Sequence, residues 1–158
     1  LGRIGRTVFV NRRRSATGNA RDDIQERIDA GDTLIMFPES TSHDGNRVRP
    51  FKSALFTVAE RHTPDGRPVT VQPVSIAYTR LNGVPMGIGW RSFFAWYGDM
   101  TLGPHVWHAL KLGRVTVEIT FHPTVTIADF NNRKDLAAYC TQVSSAGVAR
   151  LLSGREAA

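Results

Sequence analysis

The chain has 158 residues, 41% of them hydrophobic, enough for one domain with a core of its own and too apolar for a disordered segment. Twenty Lys and Arg against fourteen Asp and Glu give a formal charge of +6 and a pI near 10.2, which favours anionic partners: nucleic acid, anionic lipid or an acidic carrier protein. The single cysteine, Cys140, excludes an internal disulfide and a multi-cysteine zinc site and suits a reducing compartment, and no run approaches the roughly 20 apolar residues of a membrane-spanning helix.

No signal peptide is visible, and the opening LGRIGRTVFVNR, without methionine, reads as the interior of a longer protein. TVFVN at 7–11 reads as a short buried strand, followed by Arg12, Arg13 and Arg14. Asn19 caps a helix in which Ile24 and Ile28 sit one turn apart, and Gly31 stops it. Residues 33–37 read as a second buried strand, ended by Pro38. Together these make a strand–helix–strand unit of the size of a parallel crossover.

A polar loop runs from Glu39 to Pro50, and a helix is expected over 51–62 with Phe51, Leu55, Val58 and Ala59 on one side. TPDGRP at 63–68 is turn chemistry. Residues 69–78 read as a long strand in which Pro73 forces a bulge or kink. A loop follows at 82–89. Then Trp90, Phe93, Phe94, Trp96 and Tyr97 crowd together, fitting either a patch that dips into lipid headgroups or a lid folded onto the core. A short helix is expected over 104–112, a strand over 115–121, an extended stretch after it, and a closing helix over 133–152 broken near Gly147. Alternating strands and helices predict one α/β domain over 1–158, its central sheet mainly parallel and flanked by helices.

In such a sheet ligands bind beyond the carboxyl ends of the strands, which is where NRRR and ESTSHDGNR would meet. Arginines beside hydroxyls suit a phosphate or carboxylate, and Glu39 beside them can accept from a substrate hydroxyl or orient an arginine. The same residues also describe an ordinary solvated turn.

Phe37-Pro38-Glu39, Thr41, and Phe51-Lys52 further on, resemble the third conserved block of the glycerolipid acyltransferases, the 1-acyl-glycerol-3-phosphate and lysophospholipid O-acyltransferases. VFVNR at 8–12 is similar to that family's second block and VQPVSIAY at 71–78 to its fourth, in the same order. The resemblance covers residues from about 2 to 130. It implies transfer of a fatty acyl group from acyl-CoA or acyl-carrier protein to the hydroxyl of a lysophospholipid of the 1-acylglycerol-3-phosphate type in membrane lipid synthesis, without a bound cofactor or metal, at the cytoplasmic face of a bacterial inner membrane. By the same match Arg12 grips the acceptor's phosphate, Phe37, Pro38, Glu39, Ser40, Thr41, Arg47, Phe51 and Lys52 shape its pocket, and Pro73 supports it.

The chemistry also needs a base, because a hydroxyl is a poor nucleophile at neutral pH. The family's His-x-x-x-x-Asp block fits none of the five histidines, so the pair is expected upstream of Leu1, and the fragment alone is expected to be inactive. His43 beside Asp44 is read as a turn histidine, since adjacent side chains point in different directions. Two departures bear on the acceptor. Ser40 stands where the family has Gly, and Ser42 where it has the arginine that holds a phosphate. Either Arg47 or Arg49 compensates, or the headgroup is different. Bacterial lyso-ornithine lipid acyltransferases resemble this loop, and their acceptor carries an α-carboxylate and amine in place of phosphate. A non-catalytic lipid- or nucleic-acid-binding domain is the alternative from another class, although no nucleic-acid recognition motif is present.

Overall fold

The computed structural model describes residues 24–39, 41–95, 97–98 and 100–154. The expected strand at 7–11, the Asn19 cap, Arg12 to Arg14 and Ser40 lie outside them. Helix α1 is described over 24–29; Ile28 is buried on it, and Gly31, at φ 77°, ends it as expected.

Residues 33–37 differ from expectation. They form no strand, and all five are exposed, Ile35 at 84% and Phe37 at 77%. An apolar run becomes a strand only where a neighbour supplies a ladder and a cover, and no described residue does either.

The described sheet is antiparallel, in the order β2–β1–β3, with β1 Val74–Leu81, β2 Val84–Pro85 and β3 Val115–Phe121. This corrects the mainly parallel sheet. Asn82 and Gly83, at φ 51° and 85°, turn β1 directly into β2, the primed geometry that only an antiparallel pair accepts. The residues before β3, read in sequence as a loop, an aromatic cluster and a short helix, would in a mainly parallel sheet have to cross over it. Instead they leave and return at the same end of β1, where Leu81 pairs with Val115. Asn82 closes that base: its N–H donates to Arg114 O (2.8 Å), and its Oδ1 accepts from Arg114 N (2.9 Å). Residues 82–114 are therefore an arm built on a hairpin stem, carrying the short helix α2 (Ile88–Arg91) and helix α3 (Leu102–Lys111).

Pro73 lies just ahead of β1, so the proline spares the ladder by preceding it. An isolated bridge joins Val71 to Val125 on its other side, and the register shift falls between Tyr78 and Arg80. The 63–68 turn forms as expected, with Gly66 N–H donating to Thr63 O (2.8 Å).

Residues Ser53–Glu60 form a 3-10 helix in place of the expected α-helix. It buries Phe56 and Ala59 against helix α4 (Arg133–Ser153), whose Leu136, Ala137 and Cys140 complete the core cluster. Burial pushes the Cys140 thiol up to about 11, which leaves it inert. Asn132 caps α4 by accepting from Lys134 N and Asp135 N, and Gly154 ends it at φ 67°.

Helix α4 is not broken at Gly147. The glycine is there because the helix lies on the sheet: a Cβ would sit 2.2 Å from Ser75 Oγ and 2.7 Å from His122 Nε2. Those two groups are bonded to each other (2.8 Å), and Ser75 Oγ donates to Ser144 O (3.0 Å). The serine hydrogen is thus committed, so His122 donates from Nε2 as the neutral ring. Burial, with Arg150 second, lowers the His122 pKa.

Candidate acceptor-binding loop

The loop between Glu39 and Phe51 is held at three places, each by residues whose chemistry dictates the bond. At its neck Lys52 N–H donates to Pro38 O (2.9 Å) and Arg49 N–H to Glu39 Oε2 (2.8 Å). Glu39 therefore orders the loop backbone. At its exit Phe51 stacks on Phe56, ring centroids 6.3 Å apart, and its N–H donates to Thr141 Oγ1 (3.1 Å) on α4. At its middle Gly45, at φ 77°, turns the chain so that Asn46 meets Arg91.

Arg91 carries the structural surprise. Its side chain is buried, with Nη1 donating to Asn46 Oδ1 (3.1 Å) and Nη2 to Leu152 O (3.5 Å). Leu152 belongs to the last turn of α4, whose carbonyls hold the negative end of the helix dipole and suit a guanidinium. Asn46 Nδ2 also donates to Ile88 O (3.4 Å). One arginine thus ties the loop, the arm and the end of α4 together. Sequence reading missed it because an arginine inside an aromatic cluster carries no motif.

Among the site residues named from the sequence, Pro38 is buried and Glu39 is partly so, while Thr41, Arg47 and Lys52 are exposed. Phe37 points to solvent and adds nothing to the loop's packing. Pro73 is buried at the start of β1, where its carbonyl accepts from His122 N (3.0 Å); that bond leads to the strand next to it and not to the loop. Arg47, Arg49 and Lys52 present three exposed cations within six residues, an arrangement suited to a phosphate or carboxylate headgroup.

His43 and Asp44 do meet, against the expectation that neighbours diverge: Nδ1 contacts the Asp44 carboxylate. Burial opposes the Asp44 charge most, yet hydrogen bonds from Asn46, with His43 and Arg47 nearby, together outweigh it and lower its pKa. The other ring nitrogen, Nε2, accepts from Arg47 Nε (3.4 Å). A general base needs that atom free to face the substrate hydroxyl. The pair therefore braces the loop. No three His, Cys, Asp or Glu side chains among the described residues are grouped to hold a metal. No described helix is long and apolar enough to cross a membrane.

Comparison with known proteins bears on the same loop. The family model described as Acyltransferase matches residues 1–77, which include it. The chain is 42% identical to a lyso-ornithine lipid O-acyltransferase of Brucella abortus, over 97% of this chain and 58% of that protein. It is 37% identical to the protein of the same name from Rhizobium meliloti, over 87% of this chain and 48% of that one. A 1-acyl-sn-glycerol-3-phosphate acyltransferase of Neisseria gonorrhoeae is 28% identical over 85% of this chain and 49% of its own length. The chain thus spans about half the length of the curated relatives it matches. No solved structure matches it. Residues 1–77, which hold the Phe-Pro-Glu loop, thus match the Acyltransferase family model, and the chain is similar over most of its length to proteins named as lysolipid O-acyltransferases.

Proposed function

We propose that the protein to which this chain belongs is an O-acyltransferase that esterifies the free hydroxyl of a lysolipid with a fatty acyl group from a thioester. The hydroxyl oxygen attacks the thioester carbonyl, the C–O bond forms as the C–S bond breaks, and the hydroxyl proton passes to a base while the thiolate leaves. The His–Asp pair suited to that step belongs, on this reading, to the part of the relatives that the chain does not span. The loop from Glu39 to Lys52 supplies the headgroup site, with Arg47, Arg49 and Lys52 as its cations. Arg12 would add a bidentate contact, Ser40 and Thr41 would line the pocket, and Pro73 would support it from the sheet. The donor is acyl-carrier protein or CoA, and the site of work is the cytoplasmic face of the bacterial inner membrane.

The acceptor is lyso-ornithine lipid. The observation that carries this choice is the 42% identity to a protein so named, across 97% of the chain. Ser42 supports it, since a serine in place of arginine leaves one phosphate contact unmade. Lysophosphatidic acid is the second reading, favoured by the weaker Neisseria match and by the exposed Arg47 and Arg49.

The test is acyl transfer by the full-length parent. Labelled palmitoyl thioesters of CoA and of acyl-carrier protein are supplied with lyso-ornithine lipid, and the ester product is separated by chromatography. Labelled diacylated product is expected. Its absence with both donors, and with lysophosphatidic acid as acceptor, would overturn the reading.

A further inference from the structure

The arm from Asn82 to Arg114 carries all three of the chain's tryptophans but only one carboxylate, Asp99, in 33 residues. Against it stand Arg91, Lys111 and Arg114, with His105 and His108 on helix α3. Helix α3 within the arm buries no residue at all. Its Leu102, Val106 and Leu110 recur one turn apart and are 40%, 45% and 70% exposed, and Trp107 beside them is 61% exposed. Leu102, Val106 and Leu110, without Trp107, line an open recess of about 250 Å³ whose other wall includes Phe94 and Val115. Lys111 lies over the Trp107 ring, 5.0 Å from its centroid. Trp90 and Phe93, with centroids 5.4 Å apart, are also more than half exposed.

An apolar face of this kind needs a cover, and the charge around it identifies which. A second copy of the arm would set cations against cations, since the arm holds a single carboxylate, Asp99. An anionic bilayer offers both halves: acyl chains for the stripe and headgroups for the cations, with tryptophans at the level between them. We propose that the arm docks on an anionic bilayer surface through α3, with Leu102, Val106, Trp107 and Leu110 entering the headgroup–acyl boundary and Lys111 and Arg114 contacting headgroups. The hairpin stem closed by Asn82 and Arg114 fixes the arm to β1, and Arg91 ties it to the acceptor loop, so docking would hold that loop near the lipid surface. The inference rests on the lysolipid reading for its purpose, but vesicle binding is read without turnover, so each can fail alone.

The experiment is flotation of the whole chain with vesicles of phosphatidylglycerol mixed with phosphatidylcholine, and with phosphatidylcholine alone. Binding to the anionic vesicles is expected, weakened as salt rises from about 0.05 to about 0.5 M. The double variant Trp107→Glu, Leu110→Glu alters only exposed side chains and is expected to weaken binding roughly ten-fold or more, with its circular dichroism unchanged. Should that variant misfold, Trp107→Phe serves: the difference in emission reports Trp107, and brominated acyl chains are expected to quench it. Unchanged binding by a folded double variant, equal binding to neutral vesicles, an unquenched Trp107, or a dimer that the same substitutions dissolve would each overturn the proposal.

Discussion

Arg91 shows how much one side chain decides at this site. Its guanidinium bridges the Asn46 amide and the last turn of α4 from a buried position. Arg91→Ala should cost about 2–4 kcal/mol, since a hydrogen bond from a charged donor contributes roughly 1.5–3 kcal/mol and Arg91 makes two, the one to Leu152 O the longer and weaker. Arg91→Lys should recover only part of it, because an ammonium lacks the planar fork that reaches both acceptors. Urea denaturation measures both. At Gly147 two effects compete. Alanine favours a helix interior by about 1 kcal/mol, but its Cβ would press on Ser75 and His122, and overpacking costs about 1–3 kcal/mol. Gly147→Ala should therefore destabilise, the reverse of the usual exposed-helix result.

His122 gives a pH dependence with a definite sign. Its folded pKa lies below the unfolded value of about 6.5, so the unfolded chain binds the extra proton. Stability is then present above about pH 6.5 and is lost as pH falls through the lowered folded value. His122→Gln should flatten the part of the melting-temperature profile below about pH 6.5. At Ser42, replacement by arginine should raise use of lysophosphatidic acid relative to lyso-ornithine lipid in the full-length parent, which initial rates with each acceptor would report.

At the scale of elements, the hairpin stem and α4 govern the shape. Gly83, at φ 85° with open space around its Cβ position, is needed for conformation alone, so Gly83→Ala should cost about 1 kcal/mol in a denaturation experiment. Much of this was legible in sequence. The strand expected over 115–121, the short helix over 104–112 and the closing helix over 133–152 rest on local signals, and β3, α3 and α4 lie at those places to within two residues. Sheet direction was less so, since it depends on which strand end the arm returns to. The Asn82-Gly83 pair was the available clue. Gly147 read as a break because glycine weakens a helix, whereas its true constraint, the nearness of Ser75, comes from another element.

At the scale of the molecule, the described sheet turns an unexpected side outward. Ile76 faces Ile119 across the ladder, and Val117 and Phe121 share their side; all four are 42–67% exposed. The opposite side, with Ser75, Ala77 and Thr79, carries the buried positions that α4 covers. Together with exposed residues 33–37 this explains why the loop from Glu39 to Phe51 was legible as a motif but its surroundings were not. A motif is local, whereas a pocket wall requires the elements around it. The loop itself is well fixed, pinned at Glu39, Asn46 and Phe51.

The central claim is that this loop selects the headgroup of lyso-ornithine lipid. The direct measurement is kcat/KM for the full-length parent with lyso-ornithine lipid and with lysophosphatidic acid, using the same thioester donor. A preference of roughly ten-fold or more for lyso-ornithine lipid is expected, the scale of one charge-assisted contact. Equal rates, or a preference for lysophosphatidic acid, would contradict it.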